Sequence, residues 1–82
     1  MDKRLNEIMD MIDMLISDSS VPKNVRKAIE KAKAHLVGEK DFVVMSTSAI
    51  YEIDAVADDI NMPVHARTHL WHLISALEAL KE

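Results

Sequence analysis

The chain contains no cysteine, one glycine, two prolines and only three aromatic residues in a total of 82. Without cysteine there is no disulfide, no thiolate zinc site and no cysteine nucleophile. So few glycines and prolines do not suit the many turns of an all-β protein, and a hydrophobic content of 49% is too high for a disordered chain. The sequence therefore predicts one small helical domain over residues 1–82.

Long apolar runs are also missing from the sequence. The longest run is about four residues, as at residues 42–45, whereas a helix needs roughly 20 apolar residues to span a bilayer. The N-terminal Met-Asp-Lys-Arg leads into an amphipathic pattern that contains Asp10 and Asp13, which is unlike the uninterrupted apolar core of a secretory signal. We therefore expect a cytoplasmic protein without a membrane segment.

The second half of the chain is a diverged copy of the first, displaced by 41 residues, and both prolines take part in the match. The identical pairs are Ile12 with Ile53, Asp13 with Asp54, Asp18 with Asp59, Pro22 with Pro63, Arg26 with Arg67 and Leu36 with Leu77. A proline near the start of a helix marks the same architectural point in each half. The repeat predicts two tandem helical hairpins, residues 1–41 and 42–82.

Apolar residues recur at three- and four-residue spacing in four segments, which indicates four amphipathic helices. We predict helix 1 over residues 2–17, helix 2 from Pro22 to about residue 37, helix 3 from Phe42 to about Ile60, and helix 4 from Pro63 to the end of the chain. The predicted buried positions are Leu5, Ile8, Ile12 and Leu15; Val25, Ile29, Ala32 and Leu36; Ala49, Ile50, Ile53, Val56, Ala57 and Ile60; and Ala66, Leu70, Leu73, Ile74, Leu77 and Leu80.

Local signals predict where the helices end and begin. The segment Ser17-Asp18-Ser19-Ser20 favours a turn, because these side chains bond to nearby backbone groups. Gly38 is predicted to adopt the left-handed conformation that ends a helix, and Asp41 to cap the next one.

Short connections make neighbouring helices antiparallel. The simplest way for two hairpins to bury their apolar stripes is an all-α, up-down-up-down four-helix bundle. The alternative is a two-repeat fragment of a solenoid, in which the hairpins stack side by side.

Two resemblances accompany this reading. Asp18 followed by Val25 and Arg26 resembles the turn of a HEAT-type repeat, although the turn is about two residues longer. The segments Val21-Pro-Lys-Asn-Val-Arg-Lys-Ala and Asn61-Met-Pro-Val-His-Ala-Arg-Thr resemble the two turns of a family of short uncharacterised archaeal proteins. That resemblance covers essentially the whole chain and implies a four-helix bundle. It implies no activity and no functional residue.

Two acid and base pairs are placed at equal height in the predicted hairpins. These are Asp13 with Arg26 and, one repeat later, Asp54 with Arg67. We interpret them as structural ion pairs that lock each hairpin, with a pair of symmetry-related acid and base sites as the alternative.

Three histidines lie within a narrow arc of helix 4, namely His65, His69 and His72. Two of them are close enough in the helix to bind one metal ion, but no acidic residue completes a ligand set. We interpret them as boundary residues that pack on a neighbouring helix, so no metal and no cofactor is predicted.

Charge alternates along the chain, with net charges of −3 for residues 1–20, +4 for 21–40, −5 for 41–61 and 0 for 62–82. Helix 2 carries a basic stripe of Lys23, Lys27 and Lys31, flanked by Arg26 and Lys33. Such a stripe suits either contact with nucleic-acid phosphates or simple solvation of a helix. An acidic total charge and few aromatic residues for base stacking argue against nucleic acid.

Two apolar residues are predicted outside the core. Met14 projects toward the polar side of helix 1, and Trp71 lies across helix 4 from the histidines. No glycine-rich phosphate loop exists, and the run from Ser46 to Ser48 has no histidine placed beside it, so no enzyme is predicted. We expect a non-enzymatic module that binds a protein or a second copy of itself, and the alternative is a nucleic-acid-associated protein that uses helix 2.

Overall fold

A computed structural model describes residues 2–81 and contains four α-helices joined by short connections. The helices are α1 (Lys3–Ile16), α2 (Lys23–Gly38), α3 (Phe42–Asp54) and α4 (Val64–Lys81). Each helix contacts its two neighbours around a ring, since α1 packs on α2 and α4, and α3 packs on α2 and α4. The closed ring confirms the four-helix bundle and replaces the alternative of stacked hairpins.

The core confirms the repeat. All but two of the predicted core positions are buried, and equivalent residues such as Ile12 and Ile53 occupy equivalent sites. Two further core residues come from the turns, because Val21 and Met62 precede the two prolines and insert between the helices. They are equivalent in the repeat, so their shared apolar character was the signal that the sequence offered for them.

Aspartates cap two of the helices. Asp2 Oδ1 accepts a hydrogen bond from the Arg4 N–H at 2.7 Å at the start of α1. Asp41 Oδ1 accepts from the N–H groups of Val43 and Val44 at 2.9 and 3.1 Å, which confirms the predicted cap of α3. Each carboxylate satisfies amide groups that a helix start leaves unpaired.

The prediction for Gly38 was wrong. Gly38 is the last residue of α2, and its φ is not positive. The helix ends instead because Glu39 turns to an extended conformation, with φ −123° and ψ 143°. The Glu39 Oε1 atom accepts from the N–H groups of Lys40 and Asp41 at 2.9 and 3.1 Å, so a side chain satisfies the backbone that follows the helix.

The predicted end of helix 3 was also wrong, because α3 stops at Asp54 and not near Ile60. The next amides bond to carbonyls three residues back, as in Val56 N–H to Ile53 O at 3.0 Å, so the chain winds into turns. Ala57 stays buried and Val56 is half-buried, whereas Ile60 was predicted to be buried and is 88% exposed. The apolar pattern continued beyond the helix because these turns keep Ala57 against the core.

Candidate functional site

Two hydrogen bonds tie the hairpins together at the turn end of the bundle. The His65 Nε2 atom lies 2.8 Å from Asp18 Oδ2, and the Asn24 amide donates to Asp59 Oδ2 at 2.8 Å. Asp18 is equivalent to Asp59 in the repeat, and Asn24 is equivalent to His65. The turn of each hairpin therefore bonds to the first turn of the second helix of the other hairpin, in a reciprocal arrangement.

Each of these aspartates also shapes its own turn. The Ser20 N–H donates to Asp18 Oδ1 at 2.9 Å, and the Asn61 N–H donates to Asp59 Oδ1 at 2.8 Å. Hydrogen bonds from the Ser20 hydroxyl and then from His65 lower the pKa of Asp18 from 3.8 to about 2. Hydrogen bonds from the Asn24 amide and then from the Asn61 N–H lower the pKa of Asp59. Both carboxylates are held ionised as structural acceptors.

The cluster of Asp18, Ser20 and His65 does not have the geometry of a nucleophilic triad. The Ser20 Oγ lies 3.3 Å from His65 Nε2, and Asp18 contacts the same nitrogen. In a triad the acid and the nucleophile occupy opposite nitrogens of the imidazole ring. The Ser20 hydroxyl also donates to Asp18 at 2.6 Å, so the three side chains form a turn network.

The predicted ion pairs within each hairpin were wrong. Asp13 pairs with Lys33 at 2.7 Å, across the solvent-exposed surface between α1 and α2, and does not pair with Arg26. The Arg26 Nε atom is buried without a hydrogen-bond partner in residues 2–81. Asp54 and Arg67 are both exposed and make no ion pair within the same range. The contacts that occur in both repeats are made by the turn aspartates Asp18 and Asp59, which link the two hairpins.

The three histidines of α4 lie in different environments. His65 is engaged by Asp18, His69 is half-buried and His72 is exposed. Within residues 2–81 no three histidine, aspartate or glutamate side chains are grouped as a metal site requires. On α2, His35 Nε2 lies 3.6 Å from Glu52 Oε1 and links α2 to α3.

The basic stripe of α2 is exposed along Lys23, Lys27 and Lys31. None of these three lysines makes an ion pair within the part of the chain that the structure describes. The two flanking residues behave differently, because Arg26 is half-buried and Lys33 is paired with Asp13. Three of the predicted basic residues are therefore exposed and make no ion pair within residues 2–81.

Exposed apolar side chains are concentrated on the second hairpin. Among the described residues, six of the eight large apolar side chains that are exposed lie between residues 43 and 71. They are Val43, Val44 and Tyr51 on α3, Ile60 in the connection, and Val64 and Trp71 on α4. We call these six residues the apolar face of the second hairpin. Tyr51 is 75% exposed and Trp71 is 53% exposed, so both rings are accessible.

The first hairpin presents a different surface at the equivalent positions. For every member of the apolar face, the residue 41 positions earlier in the sequence is polar or charged. In the same order the equivalents are Asp2, Lys3, Asp10, Ser19, Lys23 and Glu30. All six equivalents lie outside the buried core. Matching positions of the repeat therefore carry polar or charged side chains in the first hairpin and exposed apolar side chains in the second.

Two open grooves lie between helices. The larger, of about 380 Å³, has Leu5, Met9, Leu36, Phe42 and Met45 among its lining residues. Its acidic lining residues are already engaged, since Asp2 caps α1 and Glu39 holds the chain after α2. The smaller, of about 200 Å³, lies between α1 and α4. The charged residues that line the grooves are Asp2, Glu39 and Lys40 in the larger and Arg4 and Glu7 in the smaller.

None of the helices in residues 2–81 combines the length and the apolar character that crossing a bilayer requires.

Comparison with known proteins identifies the family. The sequence model described as "Uncharacterised protein family (UPF0147)" matches residues 1–80. A UPF0147 protein of Methanocaldococcus jannaschii is 43% identical over 72 residues, which cover 87% of this chain and 77% of that protein. A UPF0147 protein of Thermoplasma volcanium is 42% identical over 82 residues, which cover 98% of this chain and 92% of that protein.

A solved structure has the same fold. The crystal structure of MMP1188, a protein of unknown function, superimposes with a TM-score of 0.89 at 38% identity and covers 96% of this chain and 91% of that one. These matches confirm the resemblance to short archaeal helical proteins. The chain belongs to the UPF0147 family.

Proposed function

We propose that this protein is a non-enzymatic interaction module that binds another protein through the apolar face of the second hairpin. The observation that carries the proposal is the comparison between repeats. Six positions that match in the repeat are polar or charged in the first hairpin and apolar in the second. A fold that needed apolar residues at these positions would need them in both halves.

The composition of this face suits an interface. Tyr and Trp are the side chains that most often anchor protein complexes, because they bury a large area and carry a polar group. Tyr51 and Trp71 are exposed on the two adjacent helices α3 and α4, and valines accompany them on both. When a partner removes exposed apolar groups from water, the free energy of the complex falls by about 25 cal/mol per Å² of apolar surface buried.

The test exchanges residues between repeats. The test variant is Tyr51→Asp with Trp71→Glu, which introduces the residues that Asp10 and Glu30 already supply at the equivalent positions of the first hairpin. It leaves Asp18 and the core unchanged. We expect this variant to keep its helical circular-dichroism spectrum and to lose a stoichiometric partner that the wild-type protein captures. The matched control is Asp10→Asn with Glu30→Gln, which should retain that partner. Equal capture by the wild type and the Tyr51 and Trp71 variant would overturn the proposal.

A second candidate function is contact with nucleic acid through α2. It is supported by the exposure of Lys23, Lys27 and Lys31 and by the absence of ion pairs to them within residues 2–81. Phosphate contacts predict binding that falls steeply as salt is raised. Lys27→Glu with Lys31→Glu should then abolish RNA and DNA binding, whereas Lys40→Glu, outside the stripe, should not. Unchanged binding in the first variant would remove this candidate.

Location in the cytoplasm stays a prediction of the same proposal. Fractionation of native cells, with the protein detected by mass spectrometry, tests it. Recovery with the membrane or the extracellular fraction would contradict it.

A further inference from the structure

The two hairpins differ in charge as well as in apolar exposure. Residues 2–41 contain eight acidic and eight basic residues, whereas residues 42–81 contain five acidic residues and only two basic ones. Helix α3 contains no lysine or arginine at all. The second hairpin therefore carries more acidic than basic residues.

Two carboxylates lie next to this face and are not neutralised. Asp54 follows Tyr51 by three residues on α3, which places it on the same side of the helix. Asp58 lies in the connection before Ile60, and both aspartates are exposed without an ion pair in the described chain. Glu78 is compensated by Lys81 at 3.6 Å. Arg67 follows Val64 by three residues and precedes Trp71 by four, so this exposed base lies on the same side of α4 as the apolar face.

We infer that the apolar face of the second hairpin binds an amphipathic helix of a different protein, one in which lysine or arginine residues flank an apolar stripe. This inference rests on the proposed function and names the class of partner. The basic flanks complement Asp54 and Asp58, and the apolar stripe covers Tyr51 and Trp71. Charge complementarity across an interface selects partners and speeds their encounter.

The spacing of the face indicates a helical partner. Val44 and Tyr51 are seven residues apart on α3, and Val64 and Trp71 are seven apart on the adjacent α4. Seven residues are two helical turns, so each pair lies along one side of its helix about 10.5 Å apart. A third helix with apolar residues at heptad spacing meets both pairs as it lies between α3 and α4.

A second copy of this chain fits the face less well. In an isologous dimer each copy would offer only Arg67 to pair with Asp54 and Asp58 of the other, since α3 contains no lysine or arginine. If the α2 stripe of a second copy docked on the apolar face, it would supply Lys23, Lys27 and Lys31. However, Val37 is the sole large apolar residue exposed on α2 within the described chain. The first arrangement supplies one base for two acids, and the second supplies bases without an apolar stripe.

The experiment is a selection from phage-displayed helical peptides of about 20 residues, which span roughly 30 Å. The peptides carry an apolar heptad stripe, and their flanking positions are randomised. The full-length protein is the bait, and the Tyr51→Asp, Trp71→Glu variant is the counter-bait. We expect enriched peptides with an excess of lysine and arginine at the flanks. They should bind the wild type and fail to bind the counter-bait.

Charge is then tested separately. Asp54→Asn with Asp58→Asn should weaken binding of the enriched peptides about fivefold, as expected for two partly exposed ion pairs. Asp10→Asn on the first hairpin is the control and should leave affinity unchanged. Enriched peptides with acidic or neutral flanks that still need Tyr51 and Trp71 would overturn this inference and leave the proposed function standing.

Other outcomes bear on the proposed face or on the identity of the partner. Peptides that bind wild type and counter-bait equally would overturn both the inference and the proposed face, whereas no enrichment at all would overturn the inference alone. Sedimentation of the wild-type protein as a dimer that the Tyr51→Asp, Trp71→Glu variant abolishes would replace the foreign helix by a second copy.

Discussion

Asp18 and Asp59 occupy equivalent turns and bind different partners, a titratable ring at His65 and a neutral amide at Asn24. The equivalence shows that the geometry of the contact was retained while its chemistry diverged. An ionised carboxylate with several donors is stabilised relative to its protonated form, which is why the pKa of Asp18 falls to about 2. The contribution of Asp18 to stability is therefore greatest when the carboxylate is ionised.

This shift predicts an acid-dependent loss of stability. Because the folded-state pKa lies below the ordinary value of 3.8, the stabilisation is present above 3.8 and is lost as pH falls toward about 2. Asp18→Asn should lower the urea midpoint at neutral pH and have a diminishing effect across that window. Asp58→Asn, whose side chain makes no hydrogen bond within residues 2–81, is the control. A deficit in Asp18→Asn that is equal at neutral pH and at pH 2 would contradict the prediction.

Ser46 is the buried polar side chain of the core, and its Oγ has no hydrogen-bond partner in the described chain. Its equivalent in the first repeat is Leu5, so the site is built for an apolar group. Ser46→Ala should raise the free energy of unfolding by about 1 kcal/mol, because it removes an unsatisfied hydroxyl. Ser48→Ala, at a half-buried position, should change it little. A loss of stability in Ser46→Ala would show that the hydroxyl is bonded in solution.

At the scale of the helix, α2 ends with hydrogen bonds to the Glu39 side chain and not with a left-handed glycine. Gly38 is helical and Glu39 bonds the following amides, so the freedom of glycine is not used. A Cβ at this position meets nothing within 4 Å. Glycine in a helix costs stability mainly through the entropy of the unfolded chain.

Gly38→Ala is therefore expected to stabilise the protein by about 0.5–1 kcal/mol. Thermal and urea unfolding measure the change. The reverse substitution on the same helix, Ala34→Gly, is the matched control and should destabilise by a similar amount, because Ala34 is also exposed. Destabilisation in Gly38→Ala would mean that the residue leaves the helical conformation in solution.

At the scale of the whole molecule, the two hairpins share one core and are linked by the reciprocal aspartate contacts. Ile12 and Ile53 are both fully buried in that core. A small domain with a shared core unfolds in one cooperative step. Neither hairpin should therefore melt before the other.

The single tryptophan makes this testable. Trp71 lies in the second hairpin and Ile12 in the first, so Ile12→Val should shift the fluorescence transition of Trp71 and the circular-dichroism transition by the same amount. The expected loss is about 0.5–1.5 kcal/mol, the usual cost of one buried methylene. Ile53→Val is the equivalent change in the second hairpin and should behave alike. A circular-dichroism midpoint that moves without the fluorescence midpoint would show that the hairpins unfold separately.

The prediction of four helices and of the cap at Asp41 succeeded because each depends on neighbouring residues. Helical periodicity and capping are local, and the repeat doubled the signal by showing each turn twice. Helix 3 was predicted too long for the same reason. The apolar spacing of Ile53, Val56 and Ala57 is compatible with both a helix and a tight turn. In the structure the backbone N–H groups of this segment bond to carbonyls three residues back, so the segment forms turns.

Sequence alone determined the helical class, the repeat and most of the core, because these follow from composition, periodicity and local hydrogen bonding. The family was indicated separately, by the resemblance of the two turn segments. Tertiary structure decided which side chains meet across the bundle. It paired Asp13 with Lys33 instead of Arg26, joined Asp18 to His65, and left Ile60 exposed. Those outcomes depend on the relative rotation and height of packed helices, which a linear pattern does not specify.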